Sequence, residues 1–73
     1  MKFGGDNLVI SLNGKKIEIE EGITLKELIN KKGLEPDRIV VEYNYQVLNQ
    51  CEWEKTILKE NDNLEVLRFV GGG

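Results

Sequence analysis

The sequence contains no histidine. That absence removes the side chain that most often serves as general base and as metal ligand near neutral pH, and it argues against a self-contained enzyme. A single cysteine, Cys51, cannot form an internal disulfide, so a reducing compartment is the expected setting. With nitrogen and sulfur ligands this scarce, no metal site is expected. No apolar run approaches the roughly 18 residues of a membrane-spanning helix, and no signal peptide is visible. A cytoplasmic location away from membranes is therefore expected. Positive charge is in the minority, with 10 Lys and Arg against 13 Asp and Glu and a net charge of -3. A nucleic-acid binder would instead carry a basic patch for the phosphates.

What is present suits one small domain. The chain has 73 residues, a size that buries about 60% of the unfolded surface. Of its 29 apolar residues, 22 are Leu, Ile or Val, and none is alanine. Without disulfides or metals, a core of this size supplies about 3–5 kcal/mol. Three of the eight glycines are the last three residues of the chain.

Local signals divide the chain into a flexible lead-in (residues 1–7), a folded domain (8–70) and a glycine tail (71–73). Leu8 to Leu12 and Lys16 to Glu20 read as strands, the second alternating Ile17 and Ile19 against Glu18 and Glu20. Asn13-Gly14 between them is a strong hairpin signal, because both turn positions require positive φ. A helix follows, with Thr24 as N-cap, Glu27 completing a capping box, and Ile23 poised to staple onto Leu28. Leu25, Leu28 and Ile29 define its buried face; Lys31 and Lys32 favour its C-terminal end, and Gly33 with Leu34 closes it. Pro36 prevents continuation. Ile39 to Tyr43 and Gln46 to Leu48 are further strands around a turn at Asn44. Asn49 to Lys55 is irregular, with room for one helical turn and Trp53 as its anchor. After a turn at Asn61-Asp62-Asn63, the last strand runs from Leu64 to Val70. Its alternation puts Leu64 and Val66 on one face and Leu67 and Phe69 on the other. One helix packed across a small mixed sheet of four to five strands is an α+β layout of β-grasp, or ubiquitin-like, type.

Few side chains offer chemistry. Cys51 lies between Gln50 and Glu52, with no base or positive charge nearby to activate a thiol. Glu52 and Glu54 fit a solvated face far better than an acid–base pair. Neither Asn13-Gly14 nor Gly4-Gly5 belongs to a phosphate-binding loop. No catalytic residue is therefore assigned. The C-terminus remains. Gly71, Gly72 and Gly73 have no side chains to pack, and ordering them costs roughly 1–2 kcal/mol per residue, which a partner must supply. Such a tail is either a flexible stub or a thin, adaptable end that can enter a narrow channel and present its carboxylate to an active site elsewhere. A carboxylate must first be activated, for instance by adenylation, before it can react.

The ordered set of Leu12-Asn13-Gly14, Thr24 to Ile29, Val41 to Asn44, Trp53, Leu58 to Asp62, and Leu64-Glu65-Val66 running to Gly71-Gly72-Gly73 resembles the ThiS family. These are the sulfur carriers of thiamin (thiazole) biosynthesis, within the ubiquitin-like MoaD/ThiS group. The resemblance extends from Leu8 to Gly73. It implies that the last strand lies centrally in the sheet, parallel to the first. It further implies that a ThiF-like adenylating enzyme uses ATP and Mg²⁺ to activate the Gly73 carboxylate. A sulfur donor then converts it to a thiocarboxylate, which is delivered to a ThiG-like thiazole synthase. The carrier would bind no cofactor itself. Other readings of the same layout are the small subunit of molybdopterin synthase or another sulfur carrier, a protein modifier joined through Gly73, and a plain binding module. If Leu64 and Val66 face the helix, Leu67 and Phe69 form an exposed apolar patch beside the tail, suited to docking a partner.

Overall fold

In a computed structural model, which describes residues 7–69, Asn13 and Gly14 have φ values of 52° and 83°. Both belong to the tight turn whose twist suits a two-residue hairpin. The turn joins β1 (Asn7–Leu12) to β2 (Lys15–Glu20), antiparallel from Asn7↔Glu20 to Leu12↔Lys15. Each strand is one residue longer than its alternation indicates.

The helix α1 (Leu25–Lys31) begins with the expected capping box. The Glu27 N–H donates to Thr24 Oγ1 at 3.1 Å, and the Thr24 N–H donates to Glu27 Oε1 at 2.9 Å. The stapling pair, Ile23 and Leu28, is buried. At the other end Gly33 takes φ of 72°; its N–H donates to the Asn30 carbonyl, and the Leu34 N–H donates to that of Ile29. These two bonds satisfy carbonyls that a helix end otherwise leaves open. Seven residues are too few for a stable isolated helix. Burial of Leu25, Leu28 and Ile29 against the sheet supplies the rest.

A 3-10 turn at Pro36–Arg38, absent from the sequence reading, carries the chain into β3 (Ile39–Tyr43). Asn44 and Tyr45, at φ of 50° and 72°, turn it into β4 (Gln46–Leu48). The single helical turn α2 (Gln50–Trp53) follows, and Trp53 is its buried anchor, as expected. The last strand is β5 (Asn63–Arg68). Val70 and Gly71 to Gly73, like residues 1–6, lie outside the described residues.

The five strands form one sheet in the order β2-β1-β5-β3-β4. The last strand occupies the centre, parallel to β1 and antiparallel to β3, as the family resemblance implies. Ile10, Leu25, Ile29, Val41, Leu58 and Leu64 are the most deeply buried residues and fill the space between α1 and the sheet. The architecture is an α+β β-grasp. No helix among the described residues is long and apolar enough to cross a membrane.

Candidate functional site

The central strand β5 is the last element of the described chain, and the residues after it in sequence are Phe69-Val70 and then the three terminal glycines. On the helix side of β5, Leu64 is fully buried and Val66 packs against the core. On the outer side, Leu67 is 57% exposed, and Phe69, just past the strand, is 45% exposed. The alternation read from the sequence therefore holds. Val40 lies directly opposite Leu67 on β3, and Val47, two positions further along the same outer face by way of Glu42, is also exposed. Leu67, Phe69 and Val40 form an apolar patch on the outer face, and the paired Glu42 and Glu65 lie between Leu67 and Val47. Gly71, Gly72 and Gly73, the reactive end expected from the sequence, lie outside the described residues.

Two devices hold β5 in place. The first is the side chain of Asn13. The backbone of β1 stays beside β5 as far as the Asn13 N–H, which donates to the Leu64 carbonyl at 2.8 Å. Beyond it, Asn13 Oδ1 accepts from the Val66 N–H at 2.7 Å and Nδ2 donates to the Val66 carbonyl at 3.3 Å. One amide side chain thus imitates one more residue of strand. Its turn chemistry is visible in the sequence; this second role, across 53 positions, is not.

The second device is Asp62. The sequence places it in a turn with no sign of burial; in the structure it is buried. Its Oδ2 accepts from the Tyr43 hydroxyl at 2.8 Å and the Lys59 N–H at 2.7 Å, and its Oδ1 accepts from Asn44 Nδ2 at 3.2 Å. Buried polar groups are tolerable when bonded in this way. Asn44 Oδ1 in turn accepts from the Asn63 N–H at 2.8 Å. This network ties the β3–β4 turn to the start of β5.

Burial of the Tyr43 hydroxyl, its hydrogen bond to Asp62 and the nearby carboxylate charge push its pKa up to about 12. The folded state keeps this proton where the unfolded chain, with an ordinary value of 10.0, releases it. The stabilisation is complete below pH 10 and is lost as pH rises through about 12. An absorbance titration of the phenols is expected to show a step near pH 12 that Tyr43→Phe removes. A titration unaltered by that substitution in this range would contradict the assignment.

Cys51 is exposed. The Glu52 carboxylate accepts from the Asn49 N–H at 3.3 Å, a capping role at the start of α2, and Glu54 is exposed. None of the three joins a constellation with the end of β5.

The fold places the chain among ubiquitin-like β-grasp proteins, with its last described strand at the centre of the sheet. Comparison with known proteins narrows the class. The ThiS family matches residues 7–73. The crystal structure of the thiamine biosynthesis protein ThiS from Geobacter metallireducens superposes with a TM-score of 0.78 at 29% identity, covering 90% of this chain and 100% of that one. The sulfur carrier protein ThiS of Bacillus subtilis is 29% identical over 66 residues, 89% of this chain and 100% of its own length. A thiazole synthase of Magnetococcus marinus is 38% identical over 64 residues, 88% of this chain. The present chain spans only 20% of that synthase's length. The chain belongs to the ThiS family, the sulfur carriers of thiamin biosynthesis.

Proposed function

We propose that this chain is a protein cosubstrate whose Gly73 carboxylate is loaded with sulfur by one enzyme and unloaded by another. An adenylating enzyme joins the Gly73 carboxylate to AMP from ATP, with Mg²⁺, releasing pyrophosphate. A sulfur donor then displaces AMP to leave a thiocarboxylate, and thiazole synthase takes the sulfur into the thiazole ring. The carrier binds no cofactor; ATP and Mg²⁺ belong to the adenylating enzyme. All these steps are assigned to the cytoplasm. Gly71 and Gly72 give the end its narrow profile, since no side chain obstructs an active-site channel.

The observation that carries the reading is the whole-length match to the Bacillus carrier together with a central strand that leads to three terminal glycines. The similarity to part of a Magnetococcus thiazole synthase supports that synthase as the acceptor. Leu67 and Phe69 are the proposed docking residues, because large apolar side chains left exposed beside the reactive end lose that exposure only on a partner.

The test is reconstitution with ATP, Mg²⁺, an adenylating enzyme, a sulfur source and thiazole synthase. Sulfur from the carrier is expected in the thiazole product. Phe69→Asp is expected to preserve thermal unfolding and to weaken binding to the adenylating enzyme by roughly tenfold or more, as loss of an interface anchor does. Unchanged binding would remove Phe69 from the interface, and loss of folding would make it a core residue.

A further inference from the structure

The same strand has a second face to a partner, its backbone edge. The Phe69 N–H donates to the Arg38 carbonyl at 3.1 Å, which makes 38 and 69 a hydrogen-bonded pair. The adjacent pair, Ile39↔Arg68, is then the non-hydrogen-bonded kind, so the Arg68 N–H and carbonyl point away from β3, towards the side where β1 would lie. Backbone pairing with β1 ends earlier, at Leu64, and the Asn13 amide reaches only as far as Val66, so nothing among the described residues pairs with Arg68 on that side. Arg68 therefore presents an open strand edge.

A groove runs beside that edge. Leu12, Leu34, Ile39 and Val66 supply apolar lining, and Lys32 and Arg68 supply two positive charges. Lys32 follows the buried stripe of α1 at i+4 from Leu28 and i+3 from Ile29, which brings it over the rim of the sheet. Both cations are exposed, and among the described residues neither has a carboxylate within salt-bridge distance. In a chain of net charge -3, two exposed cations over this edge form a local site of opposite sign to the whole.

We propose that this edge receives an extended, carboxylate-bearing segment of the adenylating enzyme, which adds to β5 as a strand where β1 ends. Main-chain bonds to Arg68 fix the register, the apolar lining takes the inward side chains, and an Asp or Glu of the segment meets Lys32 and Arg68. Arg68 is five residues before Gly73, at most about 18 Å along an extended chain. A grip at this point restricts where the carboxylate can lie during adenylation. The inference rests on the carrier reading, which supplies the enzyme.

The experiment measures the affinity of the full chain for the adenylating enzyme at low and moderate salt, together with amide exchange at Arg68 in the complex. Lys32→Glu with Arg68→Glu is expected to weaken binding by about tenfold or more and to reduce its salt dependence, while the chain stays folded at the assay temperature. Exchange of the Arg68 N–H in the unaltered chain is expected to slow on binding. Affinity within about twofold of the unaltered chain, or Arg68 exchange that the enzyme leaves unchanged, overturns the proposal while the carrier reading stands. An unaltered chain that neither binds nor is adenylated overturns the carrier reading and this inference with it.

Discussion

Removal of Gly73 is expected to abolish thiocarboxylate formation while the fold persists. The shortened chain still ends in a carboxylate, so chemical competence alone does not distinguish it. What changes is reach: one residue of extended chain spans about 3.5 Å. A misplacement of about 1 Å at a reacting centre already costs roughly 100-fold, so loading is expected to fall below that level. Among the described residues the core is built from positions between Ile10 and Leu64, with partly buried residues from Leu8 to Val66 packed on it. The check pairs an adenylation assay with a thermal unfolding curve. Loading of the shortened chain at a rate near that of the full chain would contradict the account of Gly73.

Asp62→Ala is expected to cost about 2–4 kcal/mol, because it leaves three donors without their acceptor at a buried position. Against a core worth about 3–5 kcal/mol, that loss is a large share of the stability. The surrounding loop is also held to β1 by backbone bonds that alanine keeps: the Ser11 N–H donates to the Asp62 carbonyl, and the Asn61 N–H to that of Val9. Asp62→Asn is a sharper probe. In one orientation its amide nitrogen faces the Lys59 N–H, and in the other it faces Asn44 Nδ2, so a donor meets a donor either way. It is expected to lie between the alanine variant and the unaltered chain in urea unfolding. An alanine variant within about 0.5 kcal/mol of the unaltered chain, the range of an ordinary surface substitution, would show that the network contributes little.

The features legible in the sequence are those decided by neighbours. Asn13-Gly14 specifies its turn, Thr24 and Glu27 start α1, and Gly33 ends it, each through groups within a few residues. The period-two alternation of β5 separates Leu64 and Val66 from Leu67 and Phe69 because a strand has only two faces. Strand order is not local in this sense; the central place of β5 came from resemblance to a family. The burial of Asp62 is not legible for a related reason. Two of its side-chain partners, Tyr43 and Asn44, are 19 and 18 positions away, and only the fold brings them together. An Asp flanked by two Asn before an apolar strand is a signal for a turn, yet it carries no sign of burial. The 3-10 turn at Pro36–Arg38 is not legible in the sequence, because proline there is equally good at stopping a helix and at starting a tighter one.

The most direct test of the account is the intact mass of this chain after incubation with ATP, Mg²⁺, an adenylating enzyme and a sulfur source. The account predicts a product in which one sulfur replaces one oxygen, located at Gly73 by fragmentation. An unchanged mass under conditions that load the Bacillus carrier would contradict it, as would an adduct joined through Gly73 to lysine side chains.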